Sequence, residues 1–518
     1  MAARSTPRSL LVAFAIANGA MVARAQGLEL DARGGSLPGI VELDAYPAQS
    51  PFELMVIVPS GSTGPTPCQI FDPNDFRTLD IGLDLLGLAW AGLSGLDGHF
   101  RVQFPLAAAP ALQDAPVFFQ AVTFAFGATL LDRIGNSNVV RLGNAGAFRD
   151  RLVYSQFDRA FASVVPRPDR KWLLVGGARG QLLAQQAWST TEIFDPITDS
   201  FAAGPSLNAP RSLHTTTALP NGTWLIAGGV NATNDPQATC EIYDPVLDVF
   251  TPVAPMGTPR TGHSATLLAS GKVLVTGGIQ AMPVTPTQLE PIHQIVNTTE
   301  IYDPVLNTWT PGPNLTTPRA GHAALVRPDG RVLLAGGLSW DTNIILGWVP
   351  AVRRSADLYN PATNAVTAGP QMATARSLTD PVDLGNGRWL LAGGINGITI
   401  IPWNPGNPTA TAEIYDAVAN TWTTVGSMAT ARGNHRGFGL GNGQFLLVGG
   451  ANGSMLSPTS LASTEVFSTA SNTFAPGPAM NFARAGAVAF QTPQGQMQLF
   501  GGATTGGTIT ASTEWYYF

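Results

Sequence analysis

The sequence predicts an all-β chain in which a small β module precedes seven repeats of a four-stranded sheet. Three observations carry this. Only 12% of the 518 residues are charged, while 57 Gly and 41 Pro are scattered through short apolar runs, a mixture that favours strands joined by tight turns. An apolar run closing on Gly-Gly recurs as WLLVGG (172–177), WLIAGG (224–229), VLVTGG (273–278), VLLAGG (332–337), WLLAGG (389–394), FLLVGG (445–450) and MQLFGG (497–502). Each is followed by an acidic-aromatic run, from TEIFDP (191–196) through CEIYDP (240–245) to TEWYYF (513–518).

One copy, RAGHAALVRPDGRVLLAGG (319–337), shows how each unit is built. AALVR reads as strand A, and Pro328-Asp329-Gly330 as a hairpin turn. RVLLAGG is strand B, and the acidic-aromatic run is strand C. Asp-Pro turns the chain into strand D, which opens on Thr-Trp in several copies. Asn221-Gly222, Asn386-Gly387 and Asn442-Gly443 fill the A–B turn elsewhere, the pair best suited to a two-residue hairpin. An Arg leads every unit: Arg159, Arg211, Arg260, Arg319, Arg376, Arg432 and Arg484, a period of about 54 residues.

A period near 50 with four strands, Gly-Gly, Glu-x-Tyr-Asp-Pro, Trp and Arg-x-x-His resembles kelch repeats, the blades of a β-propeller. The resemblance implies a seven-bladed propeller over residues 148–518, roughly 70% of the chain. The chain reaches only strand C of the last unit. The segment 148–157, including Leu152, Val153 and Tyr154, is therefore expected to supply the missing strand D and hide the open edges.

Residues 26–147 carry apolar or alternating runs such as PFELMVIVP (51–59), HFRVQFPL (99–106) and APVFFQAVTFAF (115–126), which read as a sandwich-like module of six to eight strands. Before it, Arg4 and Arg8, an apolar stretch from Leu10 to Ala20 and Ala23-Arg24-Ala25 read as a signal peptide (1–25) cut between Ala25 and Gln26. The expectation is a secreted, extracytoplasmic protein with no membrane span. A net charge of −6 without a Lys/Arg run argues against nucleic acid as a partner. Cys68 and Cys240 could pair with each other, or each could be a small buried apolar residue.

The residues that look chemical recur too regularly to be one reaction centre. Gly-Gly ends a strand rather than opening a helix, so it reads as a backbone requirement, not a phosphate cradle. Arg211 with His214, Arg260 with His263, Arg319 with His322 and Arg432 with His435 stand in one register. They are expected to be structural: the imidazoles bonded to neighbouring backbone, and the Arg paired with a carboxylate of the adjacent blade, Glu192, Glu241, Glu300, Glu413, Glu465 and Glu514 being the candidates. Exported kelch propellers include galactose-oxidase-like copper enzymes, whose site uses two Tyr, two His and a Tyr-linked Cys, with one Tyr-His pair adjacent in sequence. No Tyr here precedes a His. Asp72, Asn74 and Asp75 lack the Gly and terminal Glu of a calcium loop. No catalytic residue, metal or cofactor is expected.

Strand direction sets Arg-x-x-His and Gly-Gly on the same face of the disc. The loops leaving Gly-Gly there (178–190, 279–298, 338–354, 395–411, 451–463) differ most, and carry Trp188, His293, Trp340, Trp348, Arg353, Arg354 and Trp403. Loop aromatics on a rigid scaffold suit recognition, though they could equally pack their own loops. The expected function is a non-catalytic binding protein for a glycan or protein. The alternatives are a sugar-acting or galactose-oxidase-like enzyme with an unfamiliar site, and a structural envelope component that self-associates through the propeller.

Overall fold

The computed structural model describes residues 28–517 apart from 34–35, 38, 47–53, 71–76, 107–114, 125–130, 145, 152–154, 182–183, 282–293, 344–346, 400–403, 455–456 and 492–495. The expected signal peptide and Asp72, Asn74 and Asp75 lie outside these. Two antiparallel sheets form the N-terminal module. One joins Glu29–Arg33, Gly39–Tyr46 and Phe100–Leu106; the other joins Leu131–Arg141, Pro116–Phe124, Leu54–Ser60 and Trp90–Leu93 in that order. Leu30, Val41 and Leu43 from the first meet Met55, Ile57, Phe119 and Val140 from the second. The module is thus a β-sandwich.

The repeat region forms seven four-stranded antiparallel sheets, here called blades 1 to 7. Their first strands are Ser163–Pro166, Thr215–Ala218, Ser264–Leu267, Ala323–Val326, Val382–Gly385, Arg436–Gly441 and Val488–Gln491. In blade 4 the order continues through Val332–Ala335, Ala356–Asn360 and Ala365–Gly369. Burial explains the sequence pattern. Strand B is flanked by strands on both edges and by blades on both faces, so Val332–Ala335 is buried throughout and reads as a continuous apolar run. Strand D is an outer edge, and in blade 3 Thr308–Pro311 is mostly exposed.

Two circuits of inter-blade hydrogen bonds close the disc. The second Gly of each Gly-Gly donates its N–H to the carbonyl of the next blade's leading Arg: Gly177 to Arg211, Gly229 to Arg260, Gly278 to Arg319, Gly337 to Arg376, Gly394 to Arg432, Gly450 to Arg484 and Gly502 to Arg159, all at 2.8–3.0 Å. The last step returns to the first blade. A second circuit passes through Phe161, Gly486, Asn434, Leu378, Gly321 and Gly262, with N–H to carbonyl distances of 2.8–3.1 Å. Leu213 joins Phe161 at 3.3 Å, and Thr261 Oγ1 reaches the Leu213 carbonyl at 3.3 Å. All seven residues stand two places after a leading Arg and have φ between 53° and 61°.

Blade 7 takes its outer strand from Ala147–Arg151, which pairs with Thr513–Tyr517. That strand begins one residue before the expected segment; Leu152, Val153 and Tyr154 lie outside the described residues. Phe148 packs there against Tyr516, centroids 4.9 Å apart. The sandwich sits against the A–B and C–D turns of the propeller, away from the Gly-Gly ends. Arg170, in the first A–B turn, donates to the Leu30 carbonyl at 2.7 Å and pairs with Glu29 at 2.7 Å. Ile197, in the first C–D turn, packs on the sandwich cluster of Val58, Leu79 and Phe118. Both cysteines are buried thiols, so the disulfide does not form. Cys68 lies in the sandwich cluster and Cys240 in blade 2.

Candidate functional site

Every leading Arg is spent within its own blade. Its Nη1 donates to the carbonyl of the first Gly of Gly-Gly, 17 residues on in all seven copies, at 2.5–2.9 Å. Its guanidinium pairs with the strand C carboxylate: Arg159–Glu192, Arg211–Glu241, Arg260–Glu300, Arg319–Asp357, Arg376–Glu413, Arg432–Glu465 and Arg484–Glu514, at 2.7–3.1 Å. The expected pairing with the adjacent blade is therefore corrected. Strand C of the same sheet is within reach, and its carboxylate also accepts N–H groups of the incoming crossover, as Glu241 does from Asn208 and Ala209. Burial pulls the Arg319 guanidinium pKa down while Asp357 opposes the shift. Asp357 was missing from the expected carboxylates; its place in ADLYNP, matching the Glu of TEIYDP, was the available signal.

Three of the four repeated histidines bond, through Nε2, a hydroxyl of the preceding blade, a partner that the expectation of neighbouring backbone did not include. His214 Nε2 lies 2.9 Å from Ser163 Oγ, His263 Nε2 3.0 Å from Thr215 Oγ1, and His322 Nε2 3.0 Å from Ser264 Oγ. Burial pushes each imidazole pKa down to about 3, which leaves it neutral. In the preceding blade Asp380 takes the register position of those hydroxyl residues, and neither ring nitrogen of His435 has a hydrogen-bond partner. Asp380 instead accepts the Gly437 N–H at 3.1 Å and stands 3.9 Å from Arg436, which donates to the Ala487 carbonyl. Burial raises the Asp380 carboxyl pKa. Sequence reasoning passed over this trio because Asp380 and Arg436 occupy a position that holds Ser, Thr, Ala or Val in the other blades.

On the Gly-Gly face, four of the loops expected to differ most form two-stranded ribbons. They are Ala178–Gln181 with Ala184–Ala187, Leu338–Asn343 with Gly347–Val352, Ile395–Thr399 with Asn404–Pro408, and Ala451–Ser454 with Ser457–Ser460. They rise from blades 1, 4, 5 and 6. The last three pack side by side into a wall. In each, the residue after Gly-Gly bridges the residue after the leading Arg, as Leu338 does with Ala320, so the ribbons are rooted beside the axis.

Of the residues expected at this face, Trp188 donates to the Asp158 carbonyl at 3.0 Å, meets Phe157 edge-on and lies under the Arg179 guanidinium at 4.3 Å. Trp340 reaches across to the Ile295 carbonyl of blade 3 at 3.1 Å. Arg353 pairs with Asp341 at 2.6 Å within its ribbon, and Arg354 is exposed beside it. Trp348 lies on the returning strand of that ribbon. His293 and Trp403 lie outside the described residues. Trp188 and Trp340 are thus fixed on separate ribbons by their indole N–H groups rather than gathered into one pocket.

A copper centre of the galactose-oxidase type does not fit the described residues. Tyr243, Tyr302, Tyr359 and Tyr415 are buried in strand C, with hydroxyls donated to Asp248, Asn307, Asn364 and Asn420. Among the described residues no group of three or more His, Cys, Asp and Glu is placed to hold a metal ion.

The fold and its repeated fastenings define a β-propeller. The Kelch motif family model matches residues 259–316. Among solved structures the chain is similar to a novel fungal alcohol oxidase with catalytic diversity among the AA5 family, in complex with copper. The TM-score is 0.54 at 17% identity, covering 72% of this chain and 76% of that one. It is also similar to YjhT, with TM-score 0.44 at 17% identity over 59% of this chain and 94% of that one. No curated protein matches the sequence.

Proposed function

We propose that this protein is an exported, non-catalytic binding propeller that engages a glycan or protein ligand with its ribbon-bearing face. The observation that carries the reading is how the chemistry is distributed. The repeated Arg and carboxylate groups are occupied inside the blades and His214, His263 and His322 at the blade junctions, whereas the ribbons rise beside the axis, with Trp340 on one and Trp188 just after another held in fixed orientations. The sandwich occupies the opposite turns, which leaves this face open to a large ligand. Rigid aromatics that lose little freedom on binding are effective anchors for sugar faces or apolar protein groups.

The test is a glycan array probed with the full chain, followed by Trp340→Ala and Trp188→Ala. Loss of a detected signal with an unchanged melting temperature supports the face; a signal indifferent to both variants removes it. One observation favours the rival, a sugar-acting enzyme: Asp380 stands 3.9 Å from Arg436, the residue that follows the unpartnered His435. That reading requires a turnover that Asp380→Asn abolishes.

A further inference from the structure

We propose that the chain assembles head to tail, the leucine-bearing edge of one copy's sandwich docking on the C–D turns of blades 2 and 3 of the next. Large apolar side chains left exposed among the described residues cluster in two places, with Val418 of the blade 5 turn standing alone at 85%. On the sandwich, Leu88, Leu93 and Leu96 stand out, Leu96 with 81% of its surface accessible. Leu93 ends the edge strand Trp90–Leu93 opposite Leu54, also exposed, and an edge strand presents unpaired backbone as well. On the propeller, the turns DPVLD and DPVLN raise Val246, Leu247, Val305 and Leu306 into solvent, Val305 at 89%. A turn needs no apolar tip: blade 4 has Ala362-Thr363 there and blade 6 Ala470-Ser471.

The first blade shows what such a tip does. Ile197 holds the place of Val246 and Val305, and it is packed on the chain's own sandwich. Arg141 of the sandwich donates to the Ile197 carbonyl at 3.4 Å and stands 4.0 Å from Asp199. Phe194 replaces the strand C tyrosine of blades 2 to 5 and has no hydroxyl to occupy Asp199. Apolar turn against sandwich is therefore a contact this sequence already makes. The turn of blade 2 follows that interface in the repeat. Each copy carries one leucine edge and, on the neighbouring blades 2 and 3, one pair of exposed Val-Leu turns, where blade 5 offers Val418 beside Ala419; these are two different surfaces of matching chemistry. A contact between two different surfaces does not close on a pair, so it propagates.

The experiment is sedimentation velocity of the full chain over a wide concentration range, with Leu93→Asp/Leu96→Asp as the sandwich variant and Val305→Asp/Leu306→Asp as the propeller variant. The wild type is expected to grow beyond dimer as concentration rises, and each variant alone to lose all assembly. An equimolar mixture of the two should form a one-to-one dimer and nothing larger, since one intact surface of each kind remains. Unchanged melting curves establish that the variants are folded; the milder Leu96→Ser and Leu306→Ser serve if they are not. A wild type that stays monomeric, a variant that still assembles alone, or a mixture that stays monomeric overturns the proposal.

Discussion

The N–H of Gly502 donates to the carbonyl of Arg159 at 2.8 Å, joining the last blade of the chain to the first. The same bond recurs at the other six junctions, so each Gly-Gly serves two blades at once. Its first carbonyl accepts from the Arg of its own blade, and its second N–H donates to the next. The conformation that allows this is left-handed, with φ of 57° at Gly501 and 98° at Gly502. A residue with a side chain is strained there.

Gly501→Ala should therefore be costly. A Cβ at Gly501 would overlap the Arg159 carbonyl, which is backbone and cannot swing aside. The unfolding free energy read from urea titration is expected to fall by more than about 2 kcal/mol. Gly222→Ala, in an A–B turn where a Cβ meets nothing within 4 Å, should cost only the left-handed penalty of about 1–2 kcal/mol.

The Arg319–Asp357 pair is buried on both sides. Asp357→Ala leaves a guanidinium without its charge partner and should destabilise by about 3–5 kcal/mol in urea unfolding. Arg319→Met combined with Asp357→Leu should recover part of that loss, because neither charge is then stranded. Equal losses for the single and double variants would contradict the scaffold reading of the pair.

Stability should decline in acid before most carboxylates titrate. Burial holds His263 and His435 at about 3 in the folded chain, against 6.5 when exposed. The unfolded chain binds more protons between those values, so their contribution is complete above about pH 6.5 and is lost as the pH falls toward about 3. The urea midpoint should drop between pH 7 and pH 5, and His263→Gln should flatten that slope.

Both thiols should be silent in the native protein. Cys68 and Cys240 are buried thiols, and burial pushes the Cys240 thiol up to about 11. A chromogenic disulfide reagent should titrate neither in buffer and both in urea, with or without prior reduction.

The blades were legible because their spacing is rigid. Arg and the first Gly are always 17 apart, since strand A, its turn and strand B together have one length. The partner of each Arg was half legible: acidic residues at strand C were visible, but which sheet they belonged to required the crossover geometry. The ribbons were not legible. AQQAWS, GWVPAV and SPTSLA share no pattern, and a two-stranded ribbon rooted on a finished blade needs no repeat to form. The trio at Asp380 escaped for the opposite reason, as a departure from a repeated position is silent until its neighbour is seen across the junction.

The central claim is that the repeated charged residues hold the propeller and the ribbon face does the binding. The most direct test is one binding isotherm and one melting curve for Trp340→Ala and for Asp357→Ala, against a glycan retained on the array by the wild-type chain. The account predicts that Trp340→Ala abolishes binding and melts like wild type, while Asp357→Ala melts early and still binds at temperatures where it is folded. Binding that survives Trp340→Ala and is lost in folded Asp357→Ala would contradict it.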